Sequence, residues 1–224
     1  GSECFRLWKA CDAQVGDDFH INPEEIEAKY FGVLTKLFNV ARFASQFDTP
    51  DDLDTTPSNL SVEDRWILAE FASTMEKVEN GWSELDIYTA TQALKTFGTG
   101  VLPSHWLEMS KSRLYDDDVN AAWTIHRIVR DLMAALSPVC PFFTHHISES
   151  LYGISAVDVR EFPVRTPADD TLRALTAAIE DFNGATWRTK KEAGLSLNVP
   201  ISGIVIPDVL SEFTSILTQM HKLE

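Results

Sequence analysis

The residues that could do chemistry cluster first at Glu108–Arg113, which reads EMSKSR and sets Lys111 between Ser110 and Ser112. A lysine so placed could follow the phosphates of a nucleotide, provided that the surrounding chain is mobile. Here the surround is VLPSHWLEMSKSRLY, aromatic and helix-forming. On a helical wheel Leu102, Trp106, Met109 and Arg113 share a narrow arc, while Lys111 points to the far side. No nucleotide-binding parallel sheet precedes it, so a phosphate-handling loop is not expected. Ser110 and Ser112 have no neighbouring histidine base. His145 and His146 are adjacent, hence about 100° apart on a helix, and no metal site is expected there. The carboxylates are scattered or lie in solvated runs such as Asp116–Asp118, so no acid/base pair stands out. No catalytic residue is expected in this chain.

Bases beside aromatic residues are the more informative pattern. KLFNVARF puts Lys36, Asn39 and Arg42 within two helical turns, DRW sets Arg65 beside Trp66, and WRTKK joins Trp187 to Arg188, Lys190 and Lys191. Guanidinium and ammonium groups next to stacking rings suit phosphates and unpaired bases. On residue physics alone the plainer reading, core tryptophans and solvated helix faces, comes first. The formal net charge is −15, and no long stretch of the chain is basic overall. A broad polyanion clamp is therefore not expected, and any nucleic-acid contact must rest on a few placed bases.

The elements that would position these residues are mostly helical. Apolar residues at three- and four-residue spacing (Ile26, Tyr30, Val33, Leu34, Leu37, Val40, Ala41) predict a helix over 24–47, opened by the cap Asn22 and by Pro23. DTPDDLDTTPSNL reads as a loop. Ser61 caps a second helix striped by Ile67, Leu68, Phe71, Met75 and Val78, with a stop at Asn80–Gly81. A third, kinked by Gly98, Gly100 and Pro103, spans 84–115, or else splits in two; a fourth covers 120–136 and a fifth 142–152. Further on, VDVREFP reads as an extended strap, 169–191 as a helix, Ile201–Pro207 as a strand and Asp208 onward as a last helix. The fold class is mainly α: an antiparallel helical bundle with a small C-terminal α/β appendage. Cys4, Cys11 and Cys140 are too far apart in sequence for a Cys-x-x-Cys site and fit a reducing compartment. No apolar run nears the roughly 18 residues of a membrane span.

Taken in order, CFRLWKACDAQVGDDFHI, KYFGVLTKLFNVARF, VEDRWIL, HWLEMSKSRLY and LMAALSPVCPFFTHHISESLYG resemble the anticodon-binding region of class I aminoacyl-tRNA synthetases for branched aliphatic amino acids. The tail IEDFNGATWRTKKEAGLSLNVPISGIVIP looks most like the archaeal valyl type; KSRLY is also similar to the isoleucyl pattern. The resemblance gives EMSKSR a second explanation. It matches four of the five letters of that class's Lys-Met-Ser-Lys-Ser catalytic loop, yet it falls in the family's bundle helix. It implies tRNA, in particular tRNA(Val), as partner, with Lys36, Asn39, Arg42, Arg65, Trp66, Lys111, Trp187, Arg188, Lys190 and Lys191 as binding residues. It also implies a parent that ligates valine to its tRNA with ATP and Mg in the cytoplasm, and a fragment that packs on that parent's catalytic domain. The fragment itself would have no cofactor, no activity, and neither DNA nor membrane as partner. Residues 1–23 would end the connecting element (Gly1-Ser2 reading as a cloning scar), 24–153 form the bundle and 154–224 the strap and appendage. The alternatives are the same domain of an isoleucyl or leucyl enzyme, or an acidic helical protein-interaction module. TFGTGVLPS, ahead of HWLEMSKSR, departs from the family's aromatic-rich helix.

Overall fold

The computed structural model describes residues 1–12, 16, 18, 21–155, 162–163 and 169–224. Most of VDVREFP lies outside the described residues. The chain forms helices α1 (Ser2–Cys11), α2 (Pro23–Ala44), α3 (Val62–Ser83) and α4 (Ile87–Thr96). A π-helical segment, Phe97–Trp106, leads into α5 (Leu107–Tyr115), followed by α6 (Val119–Leu136), α7 (Pro141–Tyr152), α8 (Asp170–Arg173) and α9 (Thr176–Glu192). A 3₁₀ turn, Asp208–Phe213, precedes α10 (Thr214–His221). Local chemistry explains most of these starts. The Asn22 side chain accepts from the backbone amides of Glu24 and Glu25, Ser61 from that of Asp64, and Asp118 from those of Asn120 and Ala121.

The result is a mainly α bundle with one contiguous core. Leu7, Tyr30, Leu37, Ile67, Trp106, Ile125 and Leu132 lie at its centre, and Ile179, Phe213 and Leu217 extend it into the C-terminal helices. Consecutive helices joined by short turns, α3 with α4 and α6 with α7, pack on each other, and α1 packs on α2 and α4.

Two differences from the sequence reading have clear causes. The second helix does not stop at Asn80–Gly81. A Cβ on Gly81 would lie 2.8 Å from the Asp86 carbonyl and 2.9 Å from Ala90 Cβ, so this glycine serves the close approach of α4. Ile201–Pro207 is not a strand: among the described residues the only β pairing is an isolated bridge, Ile201 with Leu223. Ile204 and Ile206 pack against the core while Val205 is 84% exposed and Gly203 has φ +81°, so the β-branched run covers one face but has no partner strand among the described residues.

The stretch 84–115 is continuous but changes its winding. Pro103 lacks an N–H and its ring opposes the carbonyl four residues back; widening to π geometry relieves both problems. Gly98 lets this segment sit against the bundle, because a Cβ there would be 2.6 Å from Leu37 Cδ2 and 3.2 Å from Leu132 Cδ2.

Candidate nucleic-acid interface

Residues 36, 39 or 40, and 43 recur at helical spacing and share a face of α2. Residues 104, 107 or 108, and 111 do the same across the π segment and α5. These faces meet along an open groove of about 570 Å³, lined among others by Lys36, Asn39, Phe43, Pro103, Lys111 and Trp187. Leu197, in the loop after α9, lines it as well. Four residues singled out from the sequence thus meet although they come from three helices.

Charge sits at the rim and apolar surface on the walls. Lys36 and Asn39 are exposed. Lys111 Nζ pairs with Glu108 one turn back, and both side chains are about 40% exposed, so the lysine remains available to an anion. Trp187 is half-buried, with its ring centroid 5.7 Å from that of His105 and 5.8 Å from that of His221. Behind it, Asn183 Nδ2 donates to His105 Nδ1 (3.0 Å), and its Oδ1 accepts from His221 Nε2 (2.7 Å). The first contact requires a neutral His105, whose Nδ1 accepts; the second needs only an N–H on His221 Nε2. Burial lowers the pKa of His105; burial, followed by the nearby Lys190 charge, pushes that of His221 down to about 4.

The remaining candidates divide by burial. Arg42, one turn past Asn39, is exposed just beyond the groove, and Arg188 and Lys191 are exposed on α9. Arg65 is also exposed, its guanidinium 3.7 Å from Glu212. Two expectations fail. Trp66 has no exposed surface: its indole N–H donates to Thr176 Oγ1 (2.9 Å) and its ring meets Phe213 edge-on, so it is a core residue with no face for a base. Lys190 is fully buried, its ammonium donating to the carbonyls of Leu197, Val199 and His221, and it offers phosphate no surface charge.

Arg113 is internal as well. It donates to Asp118 (3.0 Å), Ser61 (2.7 Å), Glu63 (2.6 Å) and Asp64 (2.7 Å), and Asp64 also accepts from Trp106 Nε1 (3.1 Å). Burial alone would lower the Arg113 pKa, but the contacts to Asp64, Asp118 and Glu63 outweigh it and raise it. Asp64 thus has Arg113 and Trp106 as its partners. EMSKSR lies within the helical run of α5 and not in a loop, and Ser110 is wholly buried. Phe43 escaped the sequence reading, although its spacing of seven from Lys36 places it on the same helix face. Its ring joins Phe47 (5.1 Å) and the 60% exposed Tyr115 (6.1 Å) at one end of the groove.

Known proteins bear on this arrangement. A family described as the anticodon-binding domain of tRNA ligase matches residues 64–205. The valine–tRNA ligase of Saccharolobus solfataricus is 32% identical over 205 residues, covering 90% of this chain and 24% of that protein. That of Aeropyrum pernix is 29% identical over 235 residues (99% and 28%), and that of Methanothrix thermoacetophila 31% over 214 residues (92% and 23%). The chain spans about a quarter of the length of these relatives. No helix among the described residues is long and apolar enough to cross a membrane. A helical bundle whose groove gathers bases and rings, matched by this family over most of its length, belongs to the anticodon-binding domains of tRNA ligases.

Proposed function

We propose that the chain is the tRNA-binding, anticodon-recognising part of a valine–tRNA ligase. The observation that carries this reading is the convergence of Lys36, Asn39, Lys111 and Trp187 on one groove, in a chain of this family. The lysines meet phosphates at the rim, Asn39 hydrogen-bonds a base edge, and Trp187 and Phe43 supply ring faces for unpaired bases. Arg42, Arg188 and Lys191 carry the backbone onward from the groove. The whole enzyme joins valine to tRNA(Val) with ATP and Mg at a site outside this chain, which is inactive alone. The valine assignment draws on the relatives' names and on the archaeal-type tail.

The test is a low-salt titration with tRNA(Val), tRNA(Ile) and a tRNA(Val) carrying a swapped anticodon. Preference for tRNA(Val), lost on the swap, is expected. Equal affinity for all three would remove anticodon recognition from the chain, and preference for tRNA(Ile) would move it to the isoleucyl enzymes.

A further inference from the structure

The groove has an unusual support at Leu197. After α9 the chain turns at Gly194 (φ +68°), and residues 196–200 are all exposed, including Leu197, which lines the groove. Burial of apolar surface therefore does not hold this loop in place. What reaches it from inside is Lys190. Its Nζ donates at 2.7 Å to the Leu197 carbonyl, 2.8 Å to that of Val199 and 2.7 Å to that of His221 at the end of α10. Three N–H hydrogens meet three carbonyls, so the ammonium is saturated by neutral acceptors. Lys190 lies one turn after Trp187 on α9, so one side chain ties the helix bearing Trp187 to the loop bearing Leu197 and to α10. The Ile201–Leu223 bridge anchors the loop's far end.

We infer that Lys190 is a positioning residue for RNA recognition, its buried ammonium clamping Leu197 and Trp187 into the groove that Lys36 and Lys111 also line. The inference rests on the RNA-binding reading of the groove. It assigns to the most buried cation of WRTKK a role opposite to a phosphate contact: it acts through neighbours that touch the ligand and never meets the ligand itself.

The test uses the 224-residue chain and a tRNA(Val) transcript titrated at several salt concentrations, with Lys190→Met, Trp187→Ala, their double variant, and Lys36→Ala. Lys190→Met is expected to keep the helical circular dichroism of the parent and to bind roughly tenfold more weakly, a loss within the range of one stacked base. Its salt slope should match wild type, and the loss should largely vanish in the Trp187→Ala background, because coupled residues are not additive. Lys36→Ala should instead flatten the slope by about 0.7–0.9. Lys190→Gln, which keeps two N–H donors, should fall between Met and wild type and serves if the Met variant does not fold. Wild-type affinity in a folded Lys190→Met chain, with Lys36→Ala weakened, overturns the clamp while sparing the groove. So does a slope lowered by about one contact, or a loss undiminished without Trp187. Failure of both Lys190 variants to fold also overturns it, since Lys190 would then serve the fold at large. No binding by the wild-type chain would sink the groove reading itself, and the clamp with it.

Discussion

At the scale of single residues, similar chemistry is put to opposite uses. Arg113 and Arg42 are both arginines on helix faces, but Arg113 faces two buried carboxylates and Arg42 faces solvent. Arg113→Met would leave Glu63 and Asp64 buried without their counter-charge, and the expected loss is about 3–5 kcal/mol, read from urea unfolding. A loss under about 1 kcal/mol would mean that water replaces the guanidinium and that the contacts are incidental. Lys36→Ala and Trp187→Ala should both weaken tRNA binding while leaving unfolding midpoints near wild type. They should separate by salt: the lysine variant loses slope, and the tryptophan variant loses about 1–3 kcal/mol at unchanged slope. Loss of slope in both would show that Trp187 acts by displacing a cation, not by stacking. Lys36, Asn39 and Trp187 were legible as candidates because bases beside rings are a local pattern. Trp66 fits the same pattern and is core, because the partner of its indole N–H, Thr176, lies 110 residues away.

At the scale of elements, helix starts follow from capping residues, whereas the winding of the middle of 84–115 follows from what lies against it. The Gly and Pro residues predict a kinked but unbroken helix there, and the chain runs on unbroken through a stretch of π geometry. Gly98→Ala tests this packing. The added methyl would meet Leu37 Cδ2 at 2.6 Å, and an overpacking cost of about 1–3 kcal/mol is expected in thermal or urea unfolding. A neutral or stabilising result would show that Leu37 yields freely and that helix propensity wins. Asn183 on α9 joins His105 of the π-helical segment to His221 of α10, and burial disfavours protonation of both rings. Their folded pKa values lie below the ordinary 6.5, that of His221 at about 4. Below pH 6.5 the unfolded chain therefore takes up protons that the folded chain refuses. The stability from neutral His221 is complete above pH 6.5 and is lost as pH falls towards 4, by up to about 3 kcal/mol. Unfolding free energies measured at pH 7 and pH 4.5 should show this fall, and His221→Gln should shrink it. Equal slopes in the two proteins would exonerate His221.

At the scale of the whole molecule, a net charge of −15 surrounds a groove with few cations. Such a charge gives a polyanion no long-range attraction, so the proposed reading requires short-range contacts at the groove. The expected salt slope is small, about −2 to −4 for three to five phosphate contacts. A slope near −8 would require a basic track elsewhere on the surface. The acidic body also disfavours nonspecific duplex binding, which the titration of a random DNA duplex would expose.

What the amino-acid sequence determined by itself is the local layer. Caps at Asn22, Ser61 and Asp118, three- and four-residue apolar spacing and ordered family motifs specify helices and their approximate extents, because each is an interaction among near neighbours in the chain. They also carry the resemblance that the family match bears out. The tertiary structure alone decided which face of each helix is covered. Burial of Trp66 and Lys190, exposure of Lys36 and the meeting of Lys111 with Trp187 depend on groups dozens of residues apart. The β-branched run at 201–207 remained unpaired for the same reason: a strand needs a neighbour, and among the described residues the fold supplies only the single bridge to Leu223. Local spacing sets what a segment prefers; which surfaces leave water is a free energy of the packed whole.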